Sequence, residues 1–309
     1  MGDWYKVGDY PEKSWSISKM KVLQNCLREY YYTYYGSHKG WIYESGDEQK
    51  ISWRLKKLTN IWLMFGDKLH EIIKYQIKDN ENKISVEQMK VYMRNKLNSE
   101  VKASIEKVKT GEWDEYPKGE MLQEYYYEEG LREEVVKEIK ERIEICTSAL
   151  ISSKSYNDIK NTEKKILEVD EGKFDSIFVS GIKVYALIDL LYIDENGNYI
   201  IVDWKTGKIG EQDKEQLMVY AIYVMERYGV NLDKIIGRIE YLLSGENVEY
   251  IFNIDDIEYI KYRIRMDLNV IDAFLEDKLQ NKPITKENFL MSENLNKCRK
   301  CKFRRLCIN

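Results

Sequence analysis

The sequence predicts an α/β protein, in which a central mixed sheet is flanked by helices and extended by a helical insertion. Apolar residues in the first 160 positions recur mainly at helical spacing, whereas from Glu163 the chain changes to short, β-branched runs. Helices come first, followed by strands, a helix, and further strands and helices, which is the order of an α/β or α+β sheet with helical additions. The 309 residues, 43% of them apolar, are enough to bury a large core.

The N-terminal half is predicted to be helical. A first helix over Trp15–Gly36 begins near the N-cap candidates Ser16 and Ser18, and keeps one apolar face. A second helix is expected over about Arg54–Lys78. Residues 81–160 carry alternating Lys and Glu around sparse apolar positions, so we expect a helical insertion that Gly111 and Pro117 interrupt.

The C-terminal half contains the predicted sheet. Asn196-Gly197 tolerates positive φ and therefore indicates a hairpin. The expected elements are strands at Lys183–Ile193, Tyr199–Lys205, Ile235–Leu243 and Val248–Asn253, and helices at Glu211–Tyr228 and Asp255–Leu279. The expected regions are 1–80 with the first helices, 81–160 as the insertion, 161–280 as the core and 281–309 as a cysteine-bearing segment.

Composition excludes several classes of protein. The net charge of −4 argues against a global basic field, so any nucleic-acid binding must use local patches. No signal peptide or long apolar run is seen, so no membrane contact is expected. Five cysteines, four of them at metal-type spacing, favour a reducing cytoplasm over a disulfide framework.

Acidic residues and a lysine interrupt the apolar hairpin. Asp203 and Lys205 are two positions apart on one predicted strand, so their side chains point to the same face. Asp189 interrupts the apolar run of the preceding strand, where a charge is costly unless it is paired or binds a metal. A surface ion pair between Asp203 and Lys205 is the alternative interpretation.

The register of the hairpin decides whether the two aspartates can meet. A two-residue turn at Asn196-Gly197 would place Asp189 opposite Trp204 and put the carboxylates on opposite faces. A loop of three or five residues places Asp189 across from Asp203 on one face. Two converging aspartates suit Mg²⁺ or Mn²⁺, and a nearby ammonium can orient water and offset charge on a phosphodiester. The catalytic interpretation therefore predicts an odd loop.

Further residues complete a pattern. Gly66 and His70 lie four apart on the second helix, and Gln216 and Tyr220 lie four apart on the helix after Lys205. The order GxxxH, acid, DxK, QxxxY resembles the RecB-like branch of the PD-(D/E)XK nucleases, whose core is the restriction-endonuclease-like fold. Ala186 departs from the pattern, since the family often has glycine there. The family commonly has an additional acidic residue upstream, and Glu168 is the best candidate for it in this chain.

The resemblance implies a role for each matching residue. The metal would be bound by the side chains of His70, Asp189 and Asp203, directly or through water, and by the main-chain carbonyl of Trp204. Lys205 would assist the attacking water. Gln216 and Tyr220 would shape the site and contact nucleic acid, although each could be an ordinary helix residue. His38, in a Gly-rich loop, is expected to have no such role.

Four cysteines form a second pattern. Cys298, Cys301 and Cys307 are spaced C-x₂-C-x₅-C, and Cys26 in the first helix can supply a fourth thiolate. This arrangement resembles the cluster of AddB-type nuclease domains and CRISPR-associated RecB-like exonucleases. It implies a 4Fe-4S cluster that staples the two chain ends, with Zn²⁺ as the alternative occupant. Leu27 replaces a usual proline, and Cys146 is expected to be a buried structural thiol.

Together the two patterns imply a metal-dependent DNA nuclease, expected to be an exonuclease acting on single strands or ends. They imply a role in DNA processing, recombination or anti-phage and CRISPR defence, with a helicase, an integrase or another defence protein as possible partner. The alternative is a catalytically degenerate nucleic-acid-binding or scaffold subunit. No GxxxxGK[ST] loop is present, so any unwinding must come from a partner. Basic residues around the C-terminal cysteines are either a phosphate-contacting patch or a solvated tail.

Overall fold

The computed structural model describes residues 7–79, 83–160, 165–170, 175–210 and 212–308. The strands in these ranges are β1 (Ser14–Trp15), β2 (Lys165–Val169), β3 (Asp175–Val179), β4 (Ile182–Ala186), β5 (Leu190–Ile193), β6 (Tyr199–Lys205), β7 (Ile235–Tyr241), β8 (Glu246–Ile251), β9 (Leu275–Asp277) and β10 (Lys282–Pro283). The expected helix start at Glu211 and the expected region boundaries at residues 80–81 and 161 lie outside the described residues.

The largest sheet has five strands in the order β2-β5-β6-β7-β8. The central pair β6–β7 is parallel, whereas the flanking pairs are antiparallel. A second sheet has the order β1-β4-β3, and β9 and β10 form a short hairpin. The predicted mixed sheet flanked by helices is therefore confirmed.

Helices cover both faces of the five-stranded sheet. They are α1 (Ile17–Asn25), α2 (Leu27–Tyr31), α3 (Asp47–Lys56), α4 (Ile61–Lys78), α5 (Val86–Thr110), α6 (Glu112–Glu115), α7 (Gln123–Tyr126), α8 (Glu133–Ser152), α9 (Lys154–Lys160), α10 (Asp213–Tyr228), α11 (Ile254–Asp272), α12 (Leu295–Lys300) and α13 (Arg304–Cys307). A π-helical turn at Tyr32–Gly36 continues α2, and 3₁₀ turns lie at Leu232–Lys234 and Lys286–Asn288.

Alternation along β6 separates two apolar cores. Ile201 packs with α1, α10 and α11 in one core, whereas Ile200, Val202 and Trp204 pack with α4, α5 and α8 in the other. Because side chains alternate along a strand, Asp203 and Lys205 face the same side as Ile201, toward α10. The helices of residues 81–160 thus cover the sheet face opposite this pair.

The hairpin between β5 and β6 has the odd connection that the catalytic interpretation requires. Leu190 pairs with Val202 and Ile193 pairs with Tyr199, so the loop consists of residues 194–198. Extending this register by one residue places Asp189 across from Asp203. Asp194 holds the loop by accepting backbone N–H bonds from Asn196 (2.9 Å) and Asn198 (2.8 Å). The prediction of an odd loop is confirmed.

Two predicted helices are interrupted. The helix expected over Trp15–Gly36 breaks at Cys26, whose backbone is extended (φ −164°, ψ 123°), and then continues into the π-helical turn. The helix expected over Arg54–Lys78 is α3 followed by α4, which starts anew where Asn60 caps it with bonds to two backbone amides. In both places the apolar spacing continues across the break, so periodicity alone could not locate it.

Two other predicted elements are shorter than expected. The strand expected over Lys183–Ile193 is divided into two strands: β4 belongs to the three-stranded sheet and β5 to the five-stranded sheet. Asp189 lies just before β5. The helix expected over Asp255–Leu279 ends at Asp272, after which the chain forms β9. Gly111, with φ +71°, ends α5 as expected. None of the described helices is long and apolar enough to cross a membrane.

Candidate active site

Asp189 and Asp203 are held at adjacent strand ends on one side of the sheet. Asp203 lies in β6 and is 4% exposed. Asp189 Oδ2 accepts the backbone N–H of Trp204 at 2.8 Å, so the carboxylate preceding β5 is tied to the residue after Asp203. This bond replaces the strand pairing that stops at Leu190 and Val202. A hydrogen bond from the backbone of β6 therefore holds the Asp189 carboxylate beside the strand that carries Asp203.

The carboxylate of Asp203 is in an electrostatically costly place. Burial raises its pKa to about 6, although the Lys205 ammonium acts in the opposite direction. Lys205 Nζ lies 2.7 Å from Asp203 Oδ2, so the ammonium partly offsets the buried charge. A buried carboxylate is costly unless it is paired or binds a metal, so this position also suits a cation.

A chain of polar contacts holds Lys205 from α10. Its ammonium donates to Gln216 Oε1 at 2.8 Å, and Gln216 Nε2 lies 2.6 Å from the Tyr220 hydroxyl. Burial tends to lower the pKa of Lys205, but Asp203 outweighs it and raises the pKa, so the side chain stays an ammonium. Burial raises the pKa of Tyr220 well above its ordinary value, which keeps the phenol neutral.

His70 enters the site from α4. Its Nδ1 lies 3.2 Å from Asp189 Oδ1. Burial alone would lower the pKa of His70, but the charge and hydrogen bond of Asp189 dominate and raise it to about 9. One turn earlier, a Cβ on Gly66 would lie 3.4 Å from Thr206 Oγ1, an ordinary contact, so α4 lies next to the residue that follows β6.

These side chains share one cleft of about 1060 Å³. Its walls include all the residues to which the resemblance gave a role in metal binding or catalysis, namely His70, Asp189, Asp203, Trp204, Lys205, Gln216 and Tyr220. The sequence did not indicate that Lys21, Lys56 and Lys183 would line the same cleft. Surface lysines carry no motif, so only the fold reveals their position.

Glu168, the candidate for an additional acid, faces elsewhere. Its Oε1 accepts hydroxyl bonds from Tyr223 at 2.8 Å and Tyr228 at 2.5 Å, both on α10. It does not belong to the residues that line the cleft. Arg142 of α8 was not predicted, but it donates to the backbone carbonyl of Thr206 at 3.1 Å and so supports the segment after Lys205.

The four cysteines of the second pattern converge on one small cavity. Cys26, at the break between α1 and α2, lines it together with Cys298, Cys301 and Cys307. Within the described ranges, no three His, Cys, Asp or Glu side chains have an arrangement that could hold a metal ion. Burial raises the pKa of Cys301 to about 12 and that of Cys307 to about 11, as for protonated thiols. Cys146 is fully buried in the core beside α4.

The basic residues near the C-terminus are partly engaged within the chain. Arg304 pairs with Glu129 at 2.7 Å, and Arg305 donates to the Tyr126 hydroxyl at 2.7 Å. Lys302 donates to a backbone carbonyl at the end of α3 at 2.8 Å. These contacts fasten the C-terminal segment to the helical region, so this group of charges is not simply a solvated tail.

The fold and the cleft agree with the comparison to known families. A family model described as the PD-(D/E)XK nuclease superfamily matches residues 14–308. Since the match covers nearly the whole chain, the protein belongs to the PD-(D/E)XK nuclease superfamily. Membership indicates a phosphodiester-cleaving nuclease, and a divalent metal is typical of the superfamily. A search of curated proteins found no match.

The cost of burying Asp203 gives a testable effect on the metal-free protein. The folded-state pKa of about 6 exceeds the ordinary 3.8, so ionisation destabilises the fold. This penalty is absent below pH 3.8, grows between pH 4 and 6, and is complete above pH 6. We expect Asp203→Asn to raise the free energy of unfolding at pH 7.5, where the buried carboxylate of the wild type is ionised. Urea unfolding in EDTA should show a smaller gain at pH 4.5; equal gains at both pH values would contradict the assignment.

Proposed function

We propose that the protein is a RecB-like DNA nuclease that uses Mg²⁺ or Mn²⁺ to hydrolyse phosphodiester bonds. The observation that carries this proposal is the meeting of Asp189 and Asp203 in one cleft, with the Lys205 ammonium against Asp203. A surface ion pair between Asp203 and Lys205 does not explain this arrangement, because Asp203 is buried and a second carboxylate lies at the neighbouring strand end.

The available donors suit a hard divalent ion. Asp189 and Asp203 provide carboxylate oxygens, and that of Asp203 is buried beside the Lys205 ammonium. In a β-strand the N–H and C=O of one residue point to the same side, and the Trp204 N–H points to Asp189. The Trp204 carbonyl therefore projects to the same edge, beyond the end of β5. His70 would complete the set through Nε2 once the ion displaces the proton from that nitrogen, while Nδ1 faces Asp189.

Each residue around the donors has a chemical task. When bound, the ion polarises the phosphodiester and lowers the pKa of a water molecule. Lys205 lies beside Asp203 and can hold that water and offset the charge that builds on the phosphate. Gln216 orients the ammonium by accepting a hydrogen bond from it, and Gln216 is in turn held by the hydrogen bond that it donates to the neutral Tyr220 hydroxyl. Tyr220 does not supply a base, because its phenol stays protonated.

Replacing Lys205 by methionine is expected to lower kcat by about 10²- to 10³-fold, since one charge-stabilising group is removed from the reacting centre. Gln216→Leu should lower kcat less, by about 10-fold, because the ammonium remains but loses its orientation. Steady-state cleavage at saturating Mn²⁺ measures both effects. Lys214→Met is the matched control, since Lys214 pairs with Asp256 outside the cleft. Equal rates for Lys205→Met and the control would contradict the role of Lys205.

We also propose that Cys26, Cys298, Cys301 and Cys307 bind a 4Fe-4S cluster, with Zn²⁺ as the alternative. Support comes from their spacing and from the single cavity that all four line. Soft thiolates suit either occupant. Cys301 Sγ already accepts the backbone N–H of Phe303 at 3.4 Å, a type of contact that stabilises thiolate ligands. The cluster would tie the α1–α2 junction to the C-terminal segment.

The substrate and setting follow from the RecB-like pattern. We propose exonucleolytic cleavage of single strands or ends, in DNA processing, recombination or defence against phage, including CRISPR systems. A helicase, integrase or other defence protein would be the partner. The cytoplasm is the proposed compartment, because free thiolates need reducing conditions.

Incubation of the protein with end-labelled single-stranded and duplex DNA tests the proposed function. We expect cutting with Mn²⁺ or Mg²⁺ and none with EDTA, and shortening from one end rather than internal fragments. A circular single strand should resist cleavage if the enzyme needs an end. Binding without any metal-dependent cutting of DNA or RNA would instead favour the degenerate binding or scaffold subunit.

A further inference from the structure

A group of lysines lies along the cleft wall built from the N-terminal helices. Lys21 of α1 and Lys56 at the end of α3 line the cleft, and so does Tyr34 between them in sequence. Lys19 of α1 is 5% exposed and its ammonium lies 4.7 Å from the centre of the Tyr34 ring. Lys56 Nζ lies 5.8 Å from the same ring. Tyr34 therefore holds two like charges near each other through cation–π contacts.

These lysines lack the acidic partners that neutralise other lysines of the site. Lys205 pairs with Asp203 and Lys183 pairs with Glu12 at 2.8 Å. Among the ion pairs of the described residues, none includes Lys19, Lys21 or Lys56. Burial, and next to it the charge of Lys56, lowers the pKa of Lys19 to about 8. An anion that enters beside Lys56 would relieve this repulsion.

The cleft has room for more than one phosphate. Its volume of about 1060 Å³ is at the upper end of ordinary small-ligand pockets, which span about 300–1,000 Å³. The acidic residues occupy one part of its wall, and α1 and α3 contribute another. A ligand that reaches both parts must carry negative charge along its length, which is a property of a nucleic-acid backbone.

We propose that Lys21 and Lys56, with Lys19 behind Tyr34, form a second anion subsite that binds the phosphodiester backbone next to the scissile phosphate. This inference rests on the proposed nuclease function and specifies how its substrate is held. The subsite adds affinity for a strand, whereas the aspartates act on the bond that is cut. It contacts phosphates rather than bases, so its contribution is independent of sequence.

Equilibrium binding of a fluorescent single-stranded oligonucleotide in EDTA tests the subsite without cleavage. We expect Lys21→Ala/Lys56→Ala to weaken binding by at least about 10-fold at low salt. The slope of log K against log salt should fall by about 1.4, since each phosphate contact on a single strand contributes about 0.7. Lys234→Ala is the matched control, because Lys234 is exposed before β7, at the end of the sheet opposite Lys205.

Hydrolysis of bis-p-nitrophenyl phosphate with Mn²⁺ separates this inference from the proposed function. This small diester has no neighbouring phosphates, so the double variant should lose much less activity on it than affinity for the oligonucleotide. Unchanged oligonucleotide affinity and slope in the double variant would overturn the subsite, whatever the rate on the diester. Absence of hydrolysis by the wild type, with DNA uncut as well, would overturn the nuclease function while the binding data still decide the subsite.

Discussion

Asp203→Asn is expected to abolish nucleic-acid cleavage, with a loss of at least about 10³-fold in kcat. Asn keeps the size of the side chain but removes the charge that a divalent ion requires. The loss of kcat should be larger than for Lys205 variants. Asn at position 203 would weaken metal binding and would also remove the charged partner of the Lys205 ammonium. Single-turnover cleavage of labelled DNA at saturating Mn²⁺ measures the effect. Binding of the same DNA in EDTA should be retained, since the cleft lysines remain.

Glu168→Gln provides the matched control for that experiment. Glu168 is also an acidic strand residue, but it accepts hydrogen bonds from Tyr223 and Tyr228 instead of lining the cleft. We expect its variant to cleave within about threefold of the wild type. If Glu168→Gln were inactive and Asp203→Asn active, the proposed site would be in the wrong place.

Cys298→Ser should cause the second large effect, on stability rather than on chemistry. Cys26 and Cys298 are far apart in sequence, so the proposed cluster would close a long loop and would restrict the unfolded chain strongly. Removing one ligand should lower Tm by about 10 °C or more in protein prepared without oxygen. The broad visible absorption of an iron–sulfur cluster should be lost. Thermal unfolding and absorption spectra measure the two changes.

The native contacts near the cysteines predict which part of the molecule loosens. Tyr32 stacks on Phe303 with ring centres 5.6 Å apart, and Arg28 Nε donates to the carbonyl of Phe289 at 2.8 Å. Without the proposed cluster, these contacts alone should hold the C-terminal segment less firmly than in the wild type. Limited proteolysis should therefore begin in that segment. Cleavage of the small diester at low temperature should persist, because Asp203 lies in β6 and Asp189 lies directly before β5, away from the cysteines.

Cys146→Ala is the control for the cysteine experiment. Cys146 is buried in α8 and lies in the core rather than in the cavity of the other four. Its variant should keep the visible absorption. A colourless wild type prepared without oxygen, containing neither iron nor zinc, would contradict the cluster.

The sequence was most informative where strand geometry constrains side chains. Asp203 and Lys205 had to share a face of the strand because they are two positions apart. An odd number of loop residues was the condition for Asp189 to lie on that same face. The structure has that register. The positions of Gln216 and Tyr220 followed from helical spacing, because residues four apart lie on one side of a helix.

The sequence was least informative where tertiary packing decides the local structure. The break at Cys26 falls inside a continuous helical pattern, so the sequence does not indicate it. In the fold, this extended residue lines a cavity together with the C-terminal cysteines. Lys21 and Lys56 are ordinary surface lysines by sequence, and they share a cleft because α1 and α3 pack near the sheet. Glu168 lies on a strand beside the site, but its orientation depends on tyrosines from α10.

Calorimetric titration with Mn²⁺ tests whether Asp189 and Asp203 jointly bind a divalent ion. The wild type and Glu168→Gln should bind Mn²⁺ with the same affinity. Either Asp189→Asn or Asp203→Asn alone should weaken binding by about 100-fold or more, because each supplies a carboxylate that the other cannot replace. Unaltered Mn²⁺ affinity in both aspartate variants would contradict the shared site and the mechanism that depends on it.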